Sequence, residues 1–141
     1  MGRVATVEVE AGDMLVARLW RWDEERLRKD AERDHRERLV AGEVDPDYSI
    51  SVWAMPKPEE KTVDDLMREL CRHIQAYRSA AWVTFTTRQR LHEKGFSLRL
   101  SEPPPRHFDV VLGNDLESAD VKGLEAILGE EPRRRFPACT V

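Results

Sequence analysis

The chain has 141 residues, 40% hydrophobic and 35% charged, with a formal charge of −4. That length fits one domain able to bury roughly two thirds of its unfolded surface, and four Trp with abundant Leu and Val exclude a disordered chain. No apolar run reaches the roughly 18 residues of a bilayer span, and the start MGRVATVEVE lacks a signal-peptide core, so the expectation is a soluble cytoplasmic protein with no membrane partner.

Residues 4 to 9 set Ala5, Val7 and Val9 against Thr6, Glu8 and Glu10, the period-two pattern of a strand with one wet face. Gly12 and Asp13 then supply a turn and an N-cap, and Leu15, Leu19 and Trp22 follow at helical spacing, which predicts a helix from Met14. A hairpin turning at Ala11-Gly12 is the competing reading, because Trp20 and Trp22 also alternate. From 23 to 38 nearly every residue is charged, with Glu24/Arg28, Glu25/Lys29, Glu32/Arg36 and Asp34/Arg38 four apart and the acid first. Only Leu27, Ala31, Leu39 and Val40 are suited to a core. Residues 23–43 therefore read as a long charged helix or arm able to project, stopped at Gly42.

After the turn Asp45-Pro46-Asp47, residues 48 to 54 have strand composition around Ile50, Val52 and Trp53. Thr62 and Asp65 make a capping box for a helix over 62 to 79, in which Val63, Leu66, Met67, Leu70, Ile74 and Tyr77 recur at helical spacing. Residues 82 to 86 read as the next strand, so 48 to 86 is expected to form a right-handed crossover between two parallel strands. A short helix over 87 to 93 stops at Gly95, after which Phe96, Leu98 and Leu100 alternate with Ser97, Arg99 and Ser101. Pro103, Pro104 and Pro105 link that strand to its expected antiparallel neighbour at 107 to 112. Asn114 or Asp115 then caps a last helix with Leu116, Val121, Leu124, Ile127 and Leu128 inward and Gly129 as its stop. The elements add up to one α+β domain over 1–141, a two-layer fold with a mixed sheet of four to five strands packed by two or three helices.

Chemistry-bearing residues are sparse. Cys71 and Cys139 form neither a disulfide framework nor a CxxC knuckle and read as reduced thiols. His73 is two residues from Cys71, which points the pair apart on a helix, and no set of residues has zinc spacing, so no metal or cofactor is expected. His107 and Asp109 alternate along a strand and share a face, where Thr84, Thr86 or Thr87 would supply a hydroxyl. With His92 they are weak catalytic candidates. The plainer reading makes them the wet side of a strand whose Phe108, Val110 and Leu112 face the core. Asp64 and Asp65 sit in a first helical turn, where negative charge complements the macrodipole. No GxSxG, HExxH, Walker-type or GxGxxG motif occurs.

Charge is laid out in blocks. Residues 1–67 and 108–132 are acidic. Residues 68–107 carry Arg68, Arg72, Arg78, Arg88, Arg90, Lys94, Arg99 and Arg106 among Tyr77, Trp82, Phe85 and Phe96, and Arg133, Arg134 and Arg135 follow near the end. Cations among aromatics suit single-stranded nucleic acid, but the acidic remainder of the chain repels a polyanion. Spare Trp and opposed charge blocks point instead to protein recognition, with Trp20, Trp22, Arg72, Arg88, Arg90 and Arg99 as candidate partner-binding residues. The expected function is a non-catalytic bacterial macromolecular interaction module of the adaptor, inhibitor or immunity type, partnered by another protein of acidic surface or by a second copy in a homo-oligomer. Two alternatives stay open. One is a small enzyme acting on a nucleotide or phosphorylated substrate, with Arg88, Arg90 or Arg99 as anion clamps and His107 or His92 as acid–base group. The other is a nucleic-acid-binding protein using 68–107.

Overall fold

The computed structural model describes residues 12–70, 72, 82–101 and 106–135. The strand expected at 4 to 9, the second half of the 62-to-79 helix, both cysteines, His73 and the three consecutive prolines lie outside them. In chain order the elements are β1 (Met14–Leu19), α1 (Glu24–Val40), β2 (Tyr48–Pro56), α2 (Val63–Leu70), β3 (Trp82–Thr87), α3 (Arg88–Glu93), β4 (Ser97–Leu100), β5 (His107–Gly113), α4 (Ser118–Leu128) and β6 (Arg134–Arg135).

The segment expected to begin a helix at Met14 is instead the strand β1, and its two edges pair with β2 and β3 rather than in the competing hairpin. Met14, Leu15, Val16 and Ala17 are all buried, two on each face of the sheet. A strand buried on both faces reads as a continuous apolar run and loses its period-two signature, so the spacing of Leu15, Leu19 and Trp22 mimicked a helix. Burial of β1 follows from its position: the six strands lie in the order β4-β5-β2-β1-β3-β6.

The class is α+β, with an antiparallel sheet packed by helices and a helix near the N-terminus. Two details differ from the mixed, two-layer expectation. First, β2 and β3 run in the same direction across a crossover containing α2, but β1 is inserted between them and pairs antiparallel with both, so every pairing is antiparallel. Second, helices lie on both faces. Alternation along β1 sends Met14 and Val16 into a main core with Leu27 and Ala31 of α1, Leu91 of α3 and Val121, Leu124, Ile127 and Leu128 of α4. Leu15 and Ala17 join a smaller core with Leu66, Met67 and Leu70 of α2 and Val83 and Phe85 of β3. The expected β4–β5 pair forms, with Leu98 opposite Val110 and Arg99 opposite Asp109.

Local chemistry sets the ends of the helices. Thr62 and Asp65 form the expected capping box: the Asp65 N–H donates to Thr62 Oγ1 at 3.1 Å and the Thr62 N–H to Asp65 Oδ2 at 3.2 Å. Asp23 caps α1 by accepting from the Arg26 N–H, and Gly42 ends that helix at φ 98°, a conformation that glycine adopts without a Cβ clash. The cap expected at Asn114 or Asp115 falls at Glu117 instead. The charged helix does not project. It lies across the sheet with Leu27, Asp30 and Ala31 buried, because those three positions fall on one face at spacings of three and four.

Candidate functional site

The catalytic candidates do not assemble. His107 and Asp109 share a face of β5, as their alternation predicted, but each has its own partner. The His107 Nδ1–H donates to the Ser101 carbonyl at 3.0 Å and its ring meets Trp53 edge-on, with centroids 5.2 Å apart. Asp109 lies 3.4 Å from Arg99 Nη2, and burial pushes its carboxyl above the usual range. Thr84 and Thr86 alternate with Val83 and Phe85 and so face the opposite side of the sheet from the smaller core. The Thr84 hydroxyl donates to the Leu128 carbonyl. Thr87 caps α3 by accepting from the Arg90 N–H at 3.1 Å. His92 is exposed on α3.

Of the four arginines expected at a partner surface, Arg88 and Arg90 share the first turn of α3, while Arg99 lies on β4 and Arg72 just beyond α2. Arg90 clasps Glu130, with Nε 3.0 Å from Oε1, and also reaches Glu93, and these hydrogen bonds push its pKa up. Arg99 bridges Asp47 at 2.7 Å and Asp109, and the Asp47 hydrogen bond likewise raises it. Arg88 donates to the Gly12 carbonyl, and Arg72 is exposed just beyond α2. Some of the opposed charge blocks pair with one another within the fold, as in Arg99–Asp47, Arg90–Glu130 and Arg134–Asp64.

The tryptophans behave differently. Trp20 follows β1 directly and donates its backbone N–H to the Trp82 carbonyl at 3.1 Å, extending the β1–β3 ladder by one residue. Trp20 is 52% exposed and its ring meets Trp22 edge-on, with centroids 5.1 Å apart, while Trp22 packs inward on the main core. On the other side of β3, β6 pairs Arg135 with Trp82 and Arg134 with Val83. Alternation then places Arg133 and Arg135 on one side. Both stack on Trp82, with guanidinium carbons 4.5 and 4.2 Å from the ring centroid, and Arg133 also lies 5.3 Å from Trp20. Arg134 turns the other way, over Phe85, and borders a cleft of about 370 Å³ floored by Leu15, Val63 and Phe85.

The result is a run of aromatic and cationic groups at one end of the sheet, in which Trp22 meets Trp20 and then Trp20, Arg133, Trp82 and Arg135 alternate. A guanidinium lying on an indole gains roughly 0.5–1 kcal/mol at an exposed site and keeps its in-plane N–H donors available for a carboxylate. Arg133 has no carboxylate partner among the described residues. Sequence reasoning selected Trp20 and Trp22 but missed Arg133, Arg135 and Trp82. Their conjunction depends on a two-residue strand pairing across a separation of some fifty positions, for which composition carries no signal. No family model, no curated protein and no solved structure matches the chain.

Proposed function

We propose that the protein is a non-catalytic binding module of the adaptor or inhibitor kind, and that it docks an acidic protein surface on the array built from Trp20, Trp82, Arg133 and Arg135. The observation that carries this reading is an exposed Trp20 beside Arg133, whose charge is stacked on two indoles and has no carboxylate partner among the described residues. Trp and Arg are the residue types that most often dominate binding energy at protein interfaces. Stacking fixes the guanidinium before binding, so less side-chain entropy is lost when a carboxylate closes onto it. Bases also stack on Trp and Arg, but an overall charge of −4 works against a polyanion.

The test is capture from an extract of the native cell at low salt with the wild-type chain, Trp20→Ala and Arg133→Gln, followed by titration of the purified captured protein. The expected result is a partner whose affinity falls at least about tenfold in each variant, as for interface anchors worth more than 1.4 kcal/mol. It should weaken as salt rises. A partner that binds all three chains equally overturns the assignment of the array. Salt-sensitive binding of single-stranded oligonucleotides that needs Trp20, with no protein partner, replaces the reading with nucleic-acid binding.

A further inference from the structure

A second charged feature lies on α1, centred on Asp30. Asp30 is buried at 7% exposure, and its carboxylate is shared by three guanidinium groups. Arg18, itself 8% exposed, hydrogen-bonds Asp30 Oδ2 from beneath. Arg26 Nε lies 3.1 Å and Arg33 Nη2 3.3 Å from Oδ1, which accepts no hydrogen bond of regular geometry. One negative charge thus stands against three positive ones. Arg18 also donates to the carbonyls of Arg21 and Ser51, which fixes the pair from the sheet side.

On the solvent side, Arg26, Lys29, Asp30, Glu32, Arg33 and Arg36 line a hollow of about 280 Å³. Residues 26, 29, 33 and 36 recur at spacings of three and four and form one basic stripe along the helix. The Glu32/Arg36 pair expected from spacing does not form. Lys29 keeps only a 3.6 Å approach to Glu25, and Arg36 has no acidic partner among the described residues. Asp30 holds Arg26 and Arg33 side by side through one nitrogen each, which leaves further N–H donors of both in the region of the hollow.

We propose that this hollow is a binding site for a single phosphate group, free or as a phosphomonoester. Fixed guanidinium forks match the tetrahedral, bidentate demand of a phosphate better than flexible ammonium groups do. The volume falls just below the usual range for drug-sized ligand sites, which suits a phosphate or a small sugar phosphate and excludes most of a dinucleotide. The two carboxylates of the lining, Asp30 and Glu32, are outnumbered by Arg26, Lys29, Arg33 and Arg36, and Arg18 pairs with Asp30 from beneath. The proposal is independent of the docking surface, because none of its residues belongs to the Trp20 array.

The experiment titrates the full chain with inorganic phosphate and, separately, with a ribose 5-phosphate, against sodium chloride at matched ionic strength, and follows backbone amide shifts. Saturable shifts centred on α1 in either phosphate series, absent with chloride, are the expected result, and the tighter series identifies the source of the group. Arg33→Gln and Arg36→Gln should each weaken binding at least about fivefold. Arg28→Gln, on the far side of the same helix, should leave it within twofold. Equal losses from Arg28→Gln and Arg33→Gln, or linear shifts indistinguishable from chloride, overturn the proposal in favour of diffuse helix charge. Asp30→Asn gives an independent reading, provided its circular dichroism matches the wild type: weaker binding shows that Asp30 organises the arginines, whereas tighter binding reflects added positive charge alone and overturns the site.

Discussion

Asp47 and Asp109, both bonded to Arg99, illustrate how one cation treats two carboxylates. Burial alone would push Asp47 up, but hydrogen bonds from Arg99 and Arg38 outweigh it and hold its carboxyl below the usual range. Its stabilising contribution is therefore complete above the ordinary carboxylate pKa of about 4 and is lost as pH falls through the folded-state value. Asp109 is the reverse. Desolvation dominates, its pKa is raised, and its ionised form opposes folding until pH falls through that raised value. Asp47→Asn should cost about 1 kcal/mol at pH 7, a figure kept low because Arg99 is partly solvated, and the deficit should shrink toward pH 3. Asp109→Asn should be neutral or stabilising at pH 7. Urea denaturation of both variants at the two pH values checks the opposite signs, and parallel behaviour of the pair would contradict this account.

At the scale of elements, α1 meets the sheet through a few apolar side chains and several polar contacts, among them Ser49 to Asp34, Arg38 to Asp47 and the buried Arg18–Asp30 pair. Leu27 and Ala31 reach the main core, and Asp30 between them engages Arg18 of β1. Removing the carboxylate strands a desolvated guanidinium, whose pKa burial already lowers against the raising effect of Asp30. Asp30→Ala should therefore cost about 3–5 kcal/mol. Arg33→Ala, which removes an exposed partner of the same carboxylate, should cost at most about 1 kcal/mol, and thermal or urea unfolding of the two variants separates these outcomes. The sequence made α1 visible as a helix through its acid-first charge pairs, but not its docking, because one aspartate flanked by Leu27 and Ala31 looks like any other charge in that run. The same limit applies elsewhere. α2 and α4 carry wide apolar stripes and β5 alternates, so periodicity located them. β1 is apolar on both faces and imitated a helix, and β6 has no pattern of its own. The array of Trp20, Trp82, Arg133 and Arg135 draws on both of those less legible strands, which explains why only its Trp20 end was foreseen.

For the whole molecule, β1 determines how the two cores communicate. Its Met14 and Val16 belong to the main core and its Leu15 and Ala17 to the smaller one, so neither core can be lost without freeing one face of the same central strand. The fold should accordingly unfold as one cooperative unit, although α2 packs alone on its face among the described residues. Leu66→Ala beneath α2 and Leu124→Ala beneath α4 each remove a fully buried side chain and should each cost about 2–5 kcal/mol. In both variants, loss of far-UV circular dichroism and the change in Trp fluorescence should coincide in a single shifted transition. Trp20, Trp22, Trp53 and Trp82 report on both cores, since Trp22 packs on the main one and Trp53 on the smaller one. If Leu66→Ala instead gives an early fluorescence step with the circular dichroism transition unmoved, the smaller core melts on its own. Trp20 and Trp82 would then stand on a ladder able to loosen separately from α1 and α4, and the array could not be the rigid anchor that docking requires.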